Sequence, residues 1–189
     1  MTPKSLILRP WELRAMLDGR LKQVRRVVKL QEFQPCTTVP GSDWYFRDSK
    51  TGIWSDVSSK RLFEKHTPYA VGDTVAVKES WFPKPKSDGG GAVYKATDAH
   101  NFMEGMPWKS PVTMPLWASR LSCVVTGVRC ERVQEISQED MLRCGVTELY
   151  GLSEMVINTY YEYWKADYPR YPWESNPFAW VYELGEVEK

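Results

Sequence analysis

Apolar positions along this chain change period several times, and each change predicts an element. Residues 5–9 read as a strand, after which Pro10 opens a helix where its missing N–H costs nothing. Trp11, Leu13, Met16 and Leu17 then recur at helical spacing, and Gly19 supplies a left-handed stop. Residues 23–29 are β-branched enough to form the next strand, with basic side chains on both faces. A half-buried strand carrying Arg25, Arg26 and Lys29 needs a reason to tolerate that charge.

Pro, Gly and Ser punctuate residues 31–68, which predicts an insertion containing a hairpin over 44–54 that turns at 48–52. A turn at Gly72-Asp73 precedes clean period-two patterning around Val75 and Val77, which predicts a strand. Residues 83–91 read as a loop, 92–96 as a brief strand, 107–117 as irregular and 119–132 as one long strand or a bent pair. Ser137 caps a helix with Glu139 and Asp140 in its first turn and Gly145 at its end. A second helix starts near Ser153, buries Val156, Tyr160, Tyr163 and Trp164, and stops before Pro169. Residues 178–184 form a last strand. Regular crossover helices do not separate these strands, so the pattern predicts an α+β fold in one domain over 1–189, a mixed barrel with helices packed outside.

Charge changes the picture through its distribution, because the formal net charge is only +1. Residues 1–30 carry eight bases, Lys4, Arg9, Arg14, Arg20, Lys22, Arg25, Arg26 and Lys29, against Glu12 and Asp18. From residue 131 onward twelve acids face five bases. Such asymmetry predicts either a positive face able to attract phosphates or two solvated faces. The nine Trp, ten Tyr and six Phe are numerous enough to supply both a core and surfaces on which a base stacks. Trp81 carries both readings, and Trp117 is assigned to the core.

Cys36, Cys123, Cys130 and Cys144 show no zinc spacing and read as reduced thiols of a cytoplasmic protein. His66 and His100 are too few for a histidine-rich metal site, and neither a P-loop nor a G-x-S-x-G motif is present. No cofactor is expected. The apolar run at 6–8 is far too short for a signal peptide or a membrane span.

Gly19-Arg20-Leu21-Lys22-Gln23-Val24-Arg25-Arg26 resembles the G-[RK]-K-T-x-T-x-R motif of ASCH domains, members of the PUA-like superfamily. Further blocks resemble the ASCH proteins encoded by bacterial phages and prophages. They are Gly72-Asp73, Val77-Lys78-Glu79-Ser80-Trp81, Met114-Pro115-Leu116-Trp117-Ala118-Ser119-Arg120, Thr126-Gly127-Val128-Arg129 and the stretch from Trp173 to Val181. The resemblance implies a PUA-like β-barrel and, since members of the superfamily bind RNA, an RNA or nucleotide partner. Some small ASCH enzymes remove an acyl group from a modified cytidine, using a Lys, a Thr and a Glu. On this chain those positions fall on Leu21, Val24 and Cys144, which supply neither base nor hydroxyl, so the resemblance implies loss of that reaction.

Three function classes follow. The first is an RNA- or nucleoside-binding barrel with its groove between the first helix, the strand at 22–29 and the segment 78–81. Its binding residues would be Arg20, Lys22, Arg25, Arg26, Lys29, Lys78, Glu79, Trp81 and Arg120. The second is a hydrolase with a rearranged set drawn from Lys22, Lys78, Glu79 and Cys144. The third is a phage-encoded module that engages a host protein through its aromatic surface.

Overall fold

The computed structural model describes residues 4–29, 33–40, 43–47, 51–58, 61, 65–99, 107–147 and 153–188. In chain order the strands are β1 (Lys4–Ile7), β2 (Gln23–Val27), β3 (Phe33–Pro35), β4 (Trp44–Arg47), β5 (Trp54–Val57), β6 (Thr74–Lys78), β7 (Trp81–Pro83), β8 (Ala92–Tyr94), β9 (Ser122–Arg132) and β10 (Phe178–Glu188). The helices are α1 (Pro10–Leu17), α2 (Lys95–Asp98), α3 (Gln138–Arg143) and α4 (Ser153–Asp167).

A five-stranded sheet in the order β1-β6-β9-β10-β2 organises the molecule, parallel only between β1 and β6. Strand β10 lies between β9 and the edge strand β2, and Phe178 to Tyr182 are buried without interruption because both faces of the sheet are covered there. Phe178, Trp180, Tyr182 and Leu184 face one core with Leu6, Leu8, Val24, Val75, Val77 and Val125. Ala179 faces a second core, where Val156, Tyr160 and Trp164 of α4 meet Met141 and Cys144. The period of two in β10 thus divides one strand between two cores.

The sequence signals act locally as expected. Pro10 begins α1, and the Glu12 carboxylate accepts from the Arg9 backbone N–H at 2.8 Å. Ser137 Oγ accepts from Asp140 N–H at the start of α3. Beyond α3, Gly145 has φ +95°, and a Cβ there would lie 2.3 Å from Ala15 Cβ, so only glycine lets this turn abut α1. Strands β4 and β5 pair as the expected hairpin, although turn residues 48–50 lie outside the described residues. This region packs into the main core, since Trp44 meets the Phe178 ring edge-on at 5.5 Å.

One expectation needs correction. The brief strand expected over 92–96 stops at Tyr94, where α2 takes over and Asp98 Oδ2 accepts from Tyr94 N–H at 2.8 Å. The sheet is mixed as expected, but among the described residues no backbone ladder joins its outer strands β1 and β2. They come within a side chain's length instead, because Arg26 on β2 donates from Nη2 to Ile7 O on β1 at 3.0 Å. No described helix is long and apolar enough to cross a membrane.

Candidate ligand-binding site

The N-terminal bases do not form one positive face. Arg25 is 3% exposed and lies on the helix-facing side of β2, opposite Val181. Its Nη2 approaches Asp140 Oδ2 at 2.9 Å and Glu131 Oε2 at 2.8 Å, the latter as an ion pair without a hydrogen bond. Its Nε donates to Gln23 Oε1 at 2.9 Å, leaving Nη1 buried without a partner. Arg129 pairs with Glu131, Asp140 and Glu183, and Arg143 pairs with Glu183. Three guanidiniums thereby meet three carboxylates between sheet and helices. Gly127 makes room for them, since a Cβ there would stand 3.0 Å from Glu183 Cγ.

Arg26 is equally committed. It grips Glu12 through two bonds of 2.6 and 2.8 Å and also donates to Arg25 O. Burial opposes its charge, but Glu12 outweighs that and holds the guanidinium above its ordinary pKa. Arg20 is tied to Gly145 O and Asp18. The expectation that Arg25 and Arg26 meet phosphate is therefore corrected: both donate within the protein, while Arg20 does so with a side chain that remains 39% exposed. Lys22 and Lys29 remain exposed and, among the described residues, without an ion pair.

Of the residues expected at the segment 78–81 and at Arg120, Glu79 and Arg120 do meet. The Glu79 carboxylate is 2% exposed and takes a fork of two bonds from Arg120, Nε to Oε1 at 2.8 Å and Nη2 to Oε2 at 3.0 Å. Arg120 is positioned by Thr97 Oγ1 at 3.1 Å and lies over the Tyr94 ring. A recess of about 300 Å³ opens beside Glu79, and Arg120 does not line it. Leu8, Pro10, Leu13, Ala96 and Pro111 make its apolar walls, while Glu79, Ser80, Arg14 and Lys95 bring polar groups to it. Lys78, which precedes Glu79 on β6, is half-buried and does not line this recess.

Trp81 takes the buried one of its two expected places, and Trp117, expected in the core, lies at the surface. Trp81 is buried against Met114 and Ala118, and Trp117 meets it edge-on at 5.9 Å while remaining 65% exposed. A strand begins at Trp81, which pairs with Tyr94 and exchanges backbone hydrogen bonds with Lys109, so its ring turns inward. Trp117 lies on a 3-10 turn over Leu116–Ala118 that presents it outward.

Leu21, Val24 and Cys144 are each at most 1% exposed. Burial pushes the Cys144 thiol up to about 12, and Sγ lies 3.5 Å from Gln23 Oε1. A nucleophilic role for Cys144 is thus corrected to a packing one. Iodoacetamide at pH 8 is expected to leave Cys144 of the native protein unmodified while labelling it fully in urea. Rapid native alkylation at Cys144, read by peptide mass, would contradict this.

Arg14 and Lys95 were not singled out by the sequence, because their shared recess arises only when α1 packs beside α2. Lys95 falls inside the strand expected over 92–96, so its place at the start of a helix was hidden as well. Comparison with protein-family models, curated proteins and solved structures finds no match to this chain.

Proposed function

We propose that this chain is an ASCH-like, PUA-like barrel protein that binds RNA by taking one nucleoside into the recess beside Glu79. The observation that carries the reading is a buried glutamate, Glu79, among the residues lining an open recess that also has two cations, Arg14 and Lys95. Arg120 uses one lone pair on each Glu79 oxygen, which leaves acceptor capacity for an exocyclic amine. The same pairing cancels the Glu79 charge, so a phosphate near Arg14 and Lys95 meets no net repulsion from it. Flat apolar surfaces at Pro10, Leu13 and Pro111 suit the faces of a base, and the volume is at the lower end for small-ligand sites.

Binding rather than turnover is the activity, because Leu21, Val24 and Cys144 stand where the resembling enzymes hold reactive groups. Titration of tryptophan fluorescence should show cytidine binding about tenfold more tightly than uridine, the scale of one hydrogen bond to a charged group. Glu79→Gln should narrow that preference, and Lys95→Glu should weaken cytidine 5′-monophosphate but not cytidine. Equal affinities for the two nucleosides, unaltered in both variants, would refute the assignment.

A further inference from the structure

A second recess, of about 420 Å³, lies between the end of β2 and residues 65–68. Lys29, Lys65, His66 and Thr67 line it together with Arg26 and Trp180, and no carboxylate does among the described residues. In the basic segment Lys4, Arg9, Arg20, Arg25 and Arg26 each have an acidic partner, whereas Lys29, like Lys22, has none among the described residues. Lys29 and Lys65 are exposed and make no ion pair among the described residues. The uncompensated charge is felt locally: His66 is held below its ordinary pKa by burial and then by Lys65.

The two recesses flank the end of β1. Arg26 lines this one and donates to Ile7 O, and the next residue, Leu8, lines the recess beside Glu79. Arg26 itself is neutralised by Glu12, so the field here comes from Lys29 and Lys65. Ammonium groups on flexible stems act as point charges, which suits a phosphodiester whose position varies along a strand.

We propose that the Lys29–Lys65 recess holds the phosphodiester backbone of a single-stranded RNA next to the nucleoside in the Glu79 recess. This rests on the reading of that recess as a nucleoside site, and it makes an oligonucleotide, rather than a free nucleoside, the ligand that engages both.

The test uses the full chain and a Lys29→Gln/Lys65→Gln variant. Cytidine, cytidine 5′-triphosphate and a fluorescein-labelled eight-nucleotide oligocytidylate are titrated at 50 and 200 mM KCl. The variant should bind cytidine and the triphosphate as the wild type does. It should bind the oligonucleotide about tenfold more weakly at low salt, with a log–log salt slope shallower by about 1.4, at about 0.7 for each of two phosphate contacts. Unchanged oligonucleotide affinity and slope would overturn the proposal while leaving the nucleoside site standing. Absence of cytidine binding, with the oligonucleotide loss intact, would support the backbone site and sink the nucleoside reading. A triphosphate loss as large as the oligonucleotide loss would place a free nucleotide's phosphates here and overturn the backbone assignment. A wild type that binds no oligonucleotide at 50 mM KCl overturns it outright.

Discussion

Arg26→Met is expected to lower unfolding free energy by about 3–5 kcal/mol, the cost of leaving a buried carboxylate without its cation. Glu12 is 2% exposed, and its remaining hydrogen bond comes from the neutral Arg9 backbone N–H. The methionine removes two bonds to Glu12, one to Arg25 O and one to Ile7 O together. Adding Glu12→Met should recover most of the loss, because a matched apolar pair avoids the desolvation penalty that the lone carboxylate suffers. Urea unfolding of the three proteins measures both effects. A loss below about 1 kcal/mol in Arg26→Met would mean that the pair is more hydrated than its burial implies.

Trp81→Ala should cost about 3–5 kcal/mol of stability by opening a cavity between β7 and the 3-10 turn at 116–118. Trp81→Phe should cost no more than about 1.5 kcal/mol, because the replacement keeps an aromatic ring where the indole N–H has no partner. Folded Trp81→Phe should retain wild-type oligocytidylate affinity. A normal melting temperature for Trp81→Ala together with lost oligonucleotide binding would return the ring to a stacking role.

Local signals made much of the fold legible. Pro10, Ser137 and the Val75–Val77 alternation each act through neighbours within a turn or a strand, and each element forms where those residues place it. The pairing of the basic segment was not legible for the opposite reason. Arg25 finds Asp140 at a separation of 115 residues, and Gln23 finds Glu183 at 160. The basic N-terminal and acidic C-terminal regions, which looked like two faces, meet where Arg25 pairs with Glu131 and Asp140 and where Arg9 pairs with Asp167. Trp81 and Trp117 show a related limit: a three-residue strand and a 3-10 turn are too short to display a period, and tertiary packing decides which ring turns inward. Glu79 was legible as a site residue, whereas Arg14 and Lys95 required the packed helices.

Strand β2 finds its ladder partner in β10, which the ribosome makes last among the strands described. Until β10 has emerged, residues 23–27 can exist only as an unzipped edge, with Arg25 and its carboxylates waiting in different parts of the nascent chain. Folding is consequently dominated by long-range closure, so refolding should be slow for the size of the chain. The interval of synthesis between these two strands is when the basic segment stands open to other polyanions and to chaperones.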